Sequence, residues 1–336
     1  MKNFIKVMAG FFLSATMVTA SFADVTVGEL EGFTGPIESM AGPMSNGANL
    51  AVTEANASGK FLQGTITVHA GDSTCIDSAA AISEAERLIN DHNVMAIMGP
   101  NCSGATGAVV SNVSVPNAVL TISNAATSPG LSDIVDEGMF FRTAPSDTIQ
   151  AAVLAKVAIS KGITDMAVTH SNSDYGKGLA DSFVAQYVAA GGTVTVMSGH
   201  EDDKADYSAD VAALSAGGST TLAVFGYADT GGKGIVTASE DTGAFMDYVF
   251  ADGMMSETIS GLVADGSWGT KPAPSADLAA EWLVVAAAGG VDGNGVFTGE
   301  SYDAMALIIL AAQAAGSTDS AAMAAEVMNI ANAPGI

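Results

Sequence analysis

VMAIMGPNCSGATGAVVSNVSVPNAVLTIS, residues 94–123, contains one full structural period of this chain. Residues 94–99 are an apolar run of strand length. Residues 104–112 are small and helix-tolerant, and 118–123 return to a β-branched run. Strand, helix and strand in that space read as a parallel pair joined by a right-handed crossover. The pattern extends in both directions. Upstream lie a strand at Val25–Glu31, a helix at 43–57, a strand at 65–70 and a helix at 78–91. Downstream of Arg142 it resumes with helices at 148–161, 177–190, 208–216 and 231–241, alternating with strands at 165–170, 193–198, Thr221–Phe225 and 248–251. A Gly-rich loop at 289–299 precedes two further helices, 301–315 and 320–331. Two such series predict an α/β protein with two doubly wound parallel-sheet lobes and a cleft between them.

Composition narrows the function classes. Among 336 residues, 11 Lys and Arg stand against 36 Asp and Glu, a net charge of −25. Such a chain has no basic footprint for a phosphate backbone, so nucleic acid is not an expected partner. Charged residues make up only 14% and hydrophobic residues 49%, which excludes a disordered acidic chain and leaves enough apolar side chains for a sizeable core.

The N-terminus reads as an export signal. Lys2 and Lys6 precede an apolar stretch, and Ser21-Phe22-Ala23 places small residues at the positions that precede a cut before Asp24. The apolar stretch is short for a membrane span and is interrupted by Ser14, Thr16 and Thr19. Loss of residues 1–23 removes two lysines and no acids, moving the net charge to −27. An exported location, outside the cytoplasm, is therefore expected. In an oxidising compartment an even pair of cysteines is expected to bridge, so Cys75 and Cys102 are assigned to a disulfide.

Motifs for catalysis or metal binding do not assemble. His69, His92, His170 and His200 are scattered, and no HExxH is present. Cys102-Ser103-Gly104 has Asn101 where a nucleophile elbow needs glycine. Residues 226–233, GYADTGGK, put glycine in the lysine position of a phosphate loop, and no GxGxxG joins the first strand to the first helix. The expectation is a non-enzyme without cofactor or metal. The rival from another class, a nucleotide-dependent enzyme on the same architecture, lacks its fingerprint.

Polar residues instead collect at strand ends, where open α/β sheets bind ligands. Ser103 follows one strand and opens a helix, offering a hydroxyl and backbone N–H groups to a carboxylate. Asn124-Ala125-Ala126-Thr127 follows the next strand. Its small residues let a solute approach the carbonyl at Ala125, and Thr127 adds a hydroxyl. Tyr175 sits at a strand–helix turn of the second series, and Asp252 directly follows a strand end. Anion donors on one lobe with a carboxylate on the other suit a zwitterionic α-amino acid, since each buried charge must meet an opposite partner.

These segments, with Gly35-Pro36-Ile37, Ser123 to Pro129, Phe141-Arg142-Thr143, Asp174 to Gly178 and Ala251-Asp252-Gly253, resemble the periplasmic branched-chain amino acid-binding family in residue type and order. The resemblance implies a type I periplasmic binding fold that feeds an ABC importer through an inner-membrane permease, as a monomer. It implies that Ser103 and Thr127 hold the ligand carboxylate, that the Ala125 carbonyl and Asp252 hold its ammonium, and that Tyr175 closes over it. Met40 and Tyr227 are candidate walls for the ligand side chain. It further implies discontinuous lobes, 24–145 with 276–336 and 146–275, and a C-terminal portion of the fold beyond Ile336. The resemblance implies a branched-chain or related aliphatic amino acid as ligand, while Met40 stands in place of the aromatic wall and Asp252 in place of the more usual glutamate, departures that bear on which solute fits. Urea, short amides and aromatic acids are alternatives on the same fold, and a chemoreceptor is an alternative partner.

Overall fold

The computed structural model describes residues 24–263 and 265–332. The export signal and the Pro334-Gly335-Ile336 turn lie outside the described residues. The first sheet contains β1 (Val25–Glu31), β2 (Ile66–Asp72), β3 (Ala96–Met98), β4 (Leu120–Ser123) and β5 (Phe140–Arg142), in the order β2-β1-β3-β4-β5. The second contains β6 (Asp165–Ser171), β7 (Thr193–His200), β8 (Thr221–Phe225), β9 (Asp247–Phe250) and β10 (Trp268–Gly269), in the order β10-β9-β8-β6-β7. Every pairing within the two sheets is parallel. The fold is thus two doubly wound lobes, and each sheet reverses its winding at one point: between β1 and β3 in the first, between β6 and β8 in the second.

The helices are α1 (Glu38–Ser58), α2 (Ser78–His92), α3 (Ser103–Val109), α4 (Val115–Asn117), α5 (Asp147–Ser160), α6 (Asp174–Ala189), α7 (Ser208–Ser215), α8 (Gly231–Thr242), α9 (Glu257–Ser260), α10 (Ala276–Ala288), α11 (Thr298–Ala315) and α12 (Ser320–Ala331). A π turn, Val110–Ser114, joins α3 to α4. Strand side chains alternate between the faces they serve. In the first sheet Leu30 and Ile97 pack with Leu88 of α2 and Val109 of α3, while Val27, Met98 and Ile122 pack with α1, α11 and α12. In the second, Val168 and Phe225 pack with Leu154 of α5 and Phe183 of α6, while Leu222 and Val224 pack with Leu214 of α7 and Ile235 of α8. Near-continuous apolar strands are what a sheet covered on both faces demands.

Three local readings change. The first helix begins at Glu38, five residues before the Pro43 start expected from sequence, with Pro43 inside it. The carbonyl that Pro43 leaves without a helical donor belongs to exposed Ser39, where water can supply one. The helix after Met98 starts at Ser103 with Cys102 as its N-cap, rather than at Gly104. Helix α10, β5 and β10 have no counterpart in the sequence reading. The two strands are only three and two residues long, and α10 carries exposed apolar side chains beside Asp277 and Glu281, so none of the three shows a clear period. Only Ala286 of α10 is buried.

Candidate functional site

The C-terminal ends of β1, β3 and β4 in one sheet face those of β6, β8 and β9 in the other, and the polar loops between them meet. Ile37, Met40 and Met44 of the β1–α1 segment, Asn101 to Ser103, and Ala125 line one side of a cavity of ≈ 30 Å³; Tyr175, Tyr227, Asp252 and Gly253 line the other. Six of the seven ligand-contact and pocket-wall residues named from sequence therefore surround one space. The lobes touch around it: the Ser39 N–H donates to Asp229 Oδ2 at 2.9 Å, and the Asp229 N–H donates to the Pro36 carbonyl at 3.1 Å.

The backbone brings the donor side together by close approach. Gly99 has φ +100°, and a Cβ there would stand 2.0 Å from the Leu30 carbonyl oxygen, so only glycine lets β3 turn this tightly beside β1. The turn leads into Cys102, bonded to Cys75 with their Cα atoms 5.2 Å apart. That bond fixes the start of α3 to the loop after β2. Ser103 is buried, and its Oγ accepts the Ser128 N–H at 3.1 Å rather than capping its own helix. Its hydroxyl proton thus remains free to donate. The Asn101 Oδ1 accepts from Gly32 N at 3.0 Å, which holds the β1 and β3 loops in register.

Thr127 is placed differently from expectation. It is buried but does not line the cavity, and its hydroxyl, without a hydrogen-bond partner, lies beside the carboxylate of Asp147.

On the opposite side, Asp252 is 2% exposed. The Tyr175 hydroxyl donates to its Oδ1 at 3.1 Å and accepts the Gly253 N–H at 3.1 Å. A Cβ at residue 253 would meet that hydroxyl at 2.9 Å and the Gly226 carbonyl at 2.6 Å, so this contact requires glycine. Burial pushes the Asp252 carboxyl up to about 6, against lowering by Tyr175 and Gln150. Burial likewise raises the Tyr175 phenol well above its ordinary value, with Asp252 and Asp147 adding to the rise. Tyr175 therefore stays a neutral donor at any physiological pH. Its ring stacks on that of Tyr227, centroids 5.2 Å apart, forming an aromatic wall opposite the Met40 and Met44 side chains.

Sequence reasoning missed Asp147. It is fully buried at the first turn of α5, and burial and then the charge of Asp252 raise it well above the usual carboxylate range. The readable signal was Ser146 capping a helix at the passage from one lobe to the other; the Ser146 Oγ accepts from Thr148 N.

A larger groove, ≈ 770 Å³, lies away from these loops between α5, residues 270–274 and α10, with Ile149, Val153, Leu278 and Trp282 on its walls. Its polar lining includes Lys271, Glu281, Glu300 and Asp303. Among the described residues no group of three or more His, Cys, Asp or Glu is disposed to hold a metal ion, and no helix is long and apolar enough to cross a membrane.

The family model for periplasmic binding proteins matches residues 24–332. The chain belongs to the periplasmic binding protein family. A Leu/Ile/Val-binding protein of Rhizobium johnstonii is 28% identical over 92% of this chain and 86% of its own length. A Leu/Ile/Val-binding protein homolog of Brucella melitensis is 28% identical over 97% and 89%. Among solved structures, a leucine-binding protein from Thermotoga maritima superposes with a TM-score of 0.78 at 21% identity, covering 91% of this chain and 87% of its own. The branched-chain amino acid transporter substrate-binding protein of Streptococcus pneumoniae, in complex with isoleucine, gives 0.76 at 24%, covering 92% and 88%. A Rhodopseudomonas palustris solute-binding protein in complex with 4-hydroxybenzoate gives 0.76 at 20%, covering 91% and 84%. At those identities the structural likeness shows the fold, and the family is that of solute-binding receptors rather than of enzymes.

Proposed function

We propose that this chain is the extracytoplasmic receptor of an ABC importer and that it binds an aliphatic α-amino acid between its lobes. One observation carries the reading: Ser103 and the start of α3 face the buried carboxylate of Asp252 across a single small cavity. Helix N–H groups and a hydroxyl suit a carboxylate, and an ionised aspartate suits an ammonium. The relatives named for leucine, isoleucine and valine point the same way. The methionines at 40 and 44 offer an adaptable apolar wall for the side chain.

In this reading Ser103 donates to the ligand carboxylate, while the Ala125 carbonyl and Asp252 serve the ammonium. Residues 24–145 with 276–336 form one lobe and 146–275 the other. Because the cavity measures only ≈ 30 Å³, the lobes separate to admit a solute and close on it by a hinge motion. No bond of the solute is broken. The closed face then docks on a permease, and residues 1–23 direct the chain to the periplasm and are removed.

Isothermal titration of residues 24–336 with the free amino acids tests the assignment. Micromolar or tighter binding of at least one aliphatic amino acid is expected, and Asp252→Asn should weaken it by about 2–5 kcal/mol, the loss on breaking a desolvated charge pair. Tight binding of 4-hydroxybenzoate, urea or a neutral amide with none of any amino acid would overturn it.

A further inference from the structure

Two acids stand where β1 should be apolar. Val25, Val27, Glu29 and Glu31 alternate onto one face of the strand, the face that packs on α1 and α11. Glu29 is 2% exposed and Glu31 0%. Acids are almost never this buried without a partner charge, yet among the described residues neither forms an ion pair. Taking them out of water carries a cost that apolar packing does not return, so the hydrogen bonds they make bear on why they are there.

Glu31 ends a chain of buried hydrogen bonds. Its Oε1 accepts from Asn124 Nδ2 at 2.6 Å, and the second hydrogen of that amide goes to Ser301 Oγ at 2.8 Å. The Ser301 hydroxyl in turn donates to the Phe297 carbonyl at 2.7 Å. Asn124 and Ser301 are 0% exposed, like Glu31. The chain meets the interlobe cavity at two points: Asn124 directly precedes Ala125, and both Ala125 and Phe297 line that space. Phe297 has φ +57° at the N-cap of α11, a conformation that a bulky residue keeps only where its surroundings enforce it.

The protonation of Glu31 fits an acceptor better than a charge. Burial, and then the charge of Glu29, raise its carboxyl well above the usual range, against lowering by Asn124. Among the other acids on elements packed against β1, Glu38 and Glu54 of α1 are exposed, Asp72 accepts from Thr34 Oγ1, and Glu300 and Asp303 line the larger groove. Strands β3 and β4 carry no charged residue. Glu31 therefore holds its proton where an ordinary glutamate has lost it.

We infer that Glu31 is a positioning residue for the solute site: with Asn124 and Ser301 it forms a strap from β1 to α11 that sets where Ala125 and Phe297 stand. The inference rests on the amino-acid reading above and adds to it three residues that do not line the cavity. They act on binding only by way of Ala125 and Phe297. An acid of purely structural use would tie affinity to stability. The strap separates the two, because the buried acid costs stability while its acceptor oxygen serves the site.

The test uses residues 24–336, calorimetric melting without ligand, and isothermal titration with L-leucine, L-isoleucine, L-valine and L-alanine. Glu31→Gln keeps an acceptor oxygen and carries no charge. It should bind the best of the four within about threefold of wild type and melt at or above the wild-type temperature. Glu31→Leu fills the same space without an acceptor. It should melt close to wild type yet bind about tenfold more weakly or worse, the effect of an amide left without its partner. Ser301→Ala, which cuts the other arm, should weaken binding by about tenfold. Joined to Glu31→Leu it should add less than about threefold, since both break one strap. Glu31→Leu binding within about twofold of wild type, or Glu31→Gln binding as weakly as Glu31→Leu, overturns the strap and leaves the amino-acid reading standing. Should Glu31→Leu fail to fold, Ser301→Ala decides: binding within about twofold of wild type overturns the strap. Wild type that binds none of the four amino acids overturns the amino-acid reading and the strap with it.

Discussion

Replacing Tyr175 by Phe removes one oxygen that performs two tasks. The hydroxyl donates to Asp252 Oδ1 and accepts the Gly253 N–H, both at 3.1 Å and both buried. Loss of a hydrogen bond to a charged acceptor costs about 1.5–3 kcal/mol, and an orphaned buried N–H adds about 1–3 kcal/mol. The two overlap because the residues are adjacent, so Tyr175→Phe should destabilise the second lobe by about 3 kcal/mol. For a lobe of this size that is a fall in melting temperature of roughly 6–12 °C. The tyrosine also lowers the Asp252 carboxyl, so its removal should move the acid limb of ligand binding to higher pH. Calorimetric melting, with binding measured from pH 5 to 8, reads both effects. A double-mutant cycle with Asp252→Asn isolates the pair, with an expected coupling of about 1–2 kcal/mol in ligand-free stability. A variant that melts within 2 °C of wild type, with coupling below about 0.5 kcal/mol, would refute the claim that this hydroxyl positions the aspartate.

The Cys75–Cys102 bond spans 27 residues, which the chain-entropy model converts to about 3.5 kcal/mol. Cys75→Ser with Cys102→Ser should lower the melting point accordingly and make it indifferent to reductant. An unchanged melting temperature would mean that the bond merely decorates an already fixed loop. At Gly178 of α6 a Cβ would stand 3.0 Å from Pro129 Cδ and 3.1 Å from Ser128 Oγ on the facing lobe. Gly178→Val should hold the lobes apart and weaken ligand binding at least tenfold with little change in ligand-free melting; affinity equal to wild type would show that this contact does not form in the liganded state. Glu29, buried in the first sheet, is pushed by desolvation from 4.5 to about 6. A raised carboxyl contributes stability below pH 4.5 that is lost as pH rises through 6, about 2 kcal/mol in all. Glu29→Gln should therefore raise the melting temperature at pH 7.5 and give no gain at pH 4.5. An equal gain at both would place the cause in packing rather than ionisation.

The sequence alone determined the layered architecture, because strand-length apolar runs alternating with Ala-rich stretches leave a covered parallel sheet as the outcome. It also placed Ser103, Ala125, Tyr175 and Asp252 at strand ends, and strand ends in this topology gather at one edge, while Met40 and Tyr227 were named through the family resemblance. What it could not decide follows from distance in space. Whether Thr127 turns to the cavity or to an acid depends on where α5 begins, and α5 belongs to the other sheet. Asp147 reads in sequence as an ordinary acid in a helix's first turn, where the dipole alone would account for it. Only packing against the loop after β4 buries it, with its N–H on the Thr127 carbonyl. A helix such as α10, whose Leu278, Leu283 and Val284 side chains stay exposed, carries no period that reveals its placement. Local pattern sets which elements form, because side chains one turn or one pleat apart interact directly. The charge environment of a site is set by groups from different elements, and that sum exists only once the chain has folded.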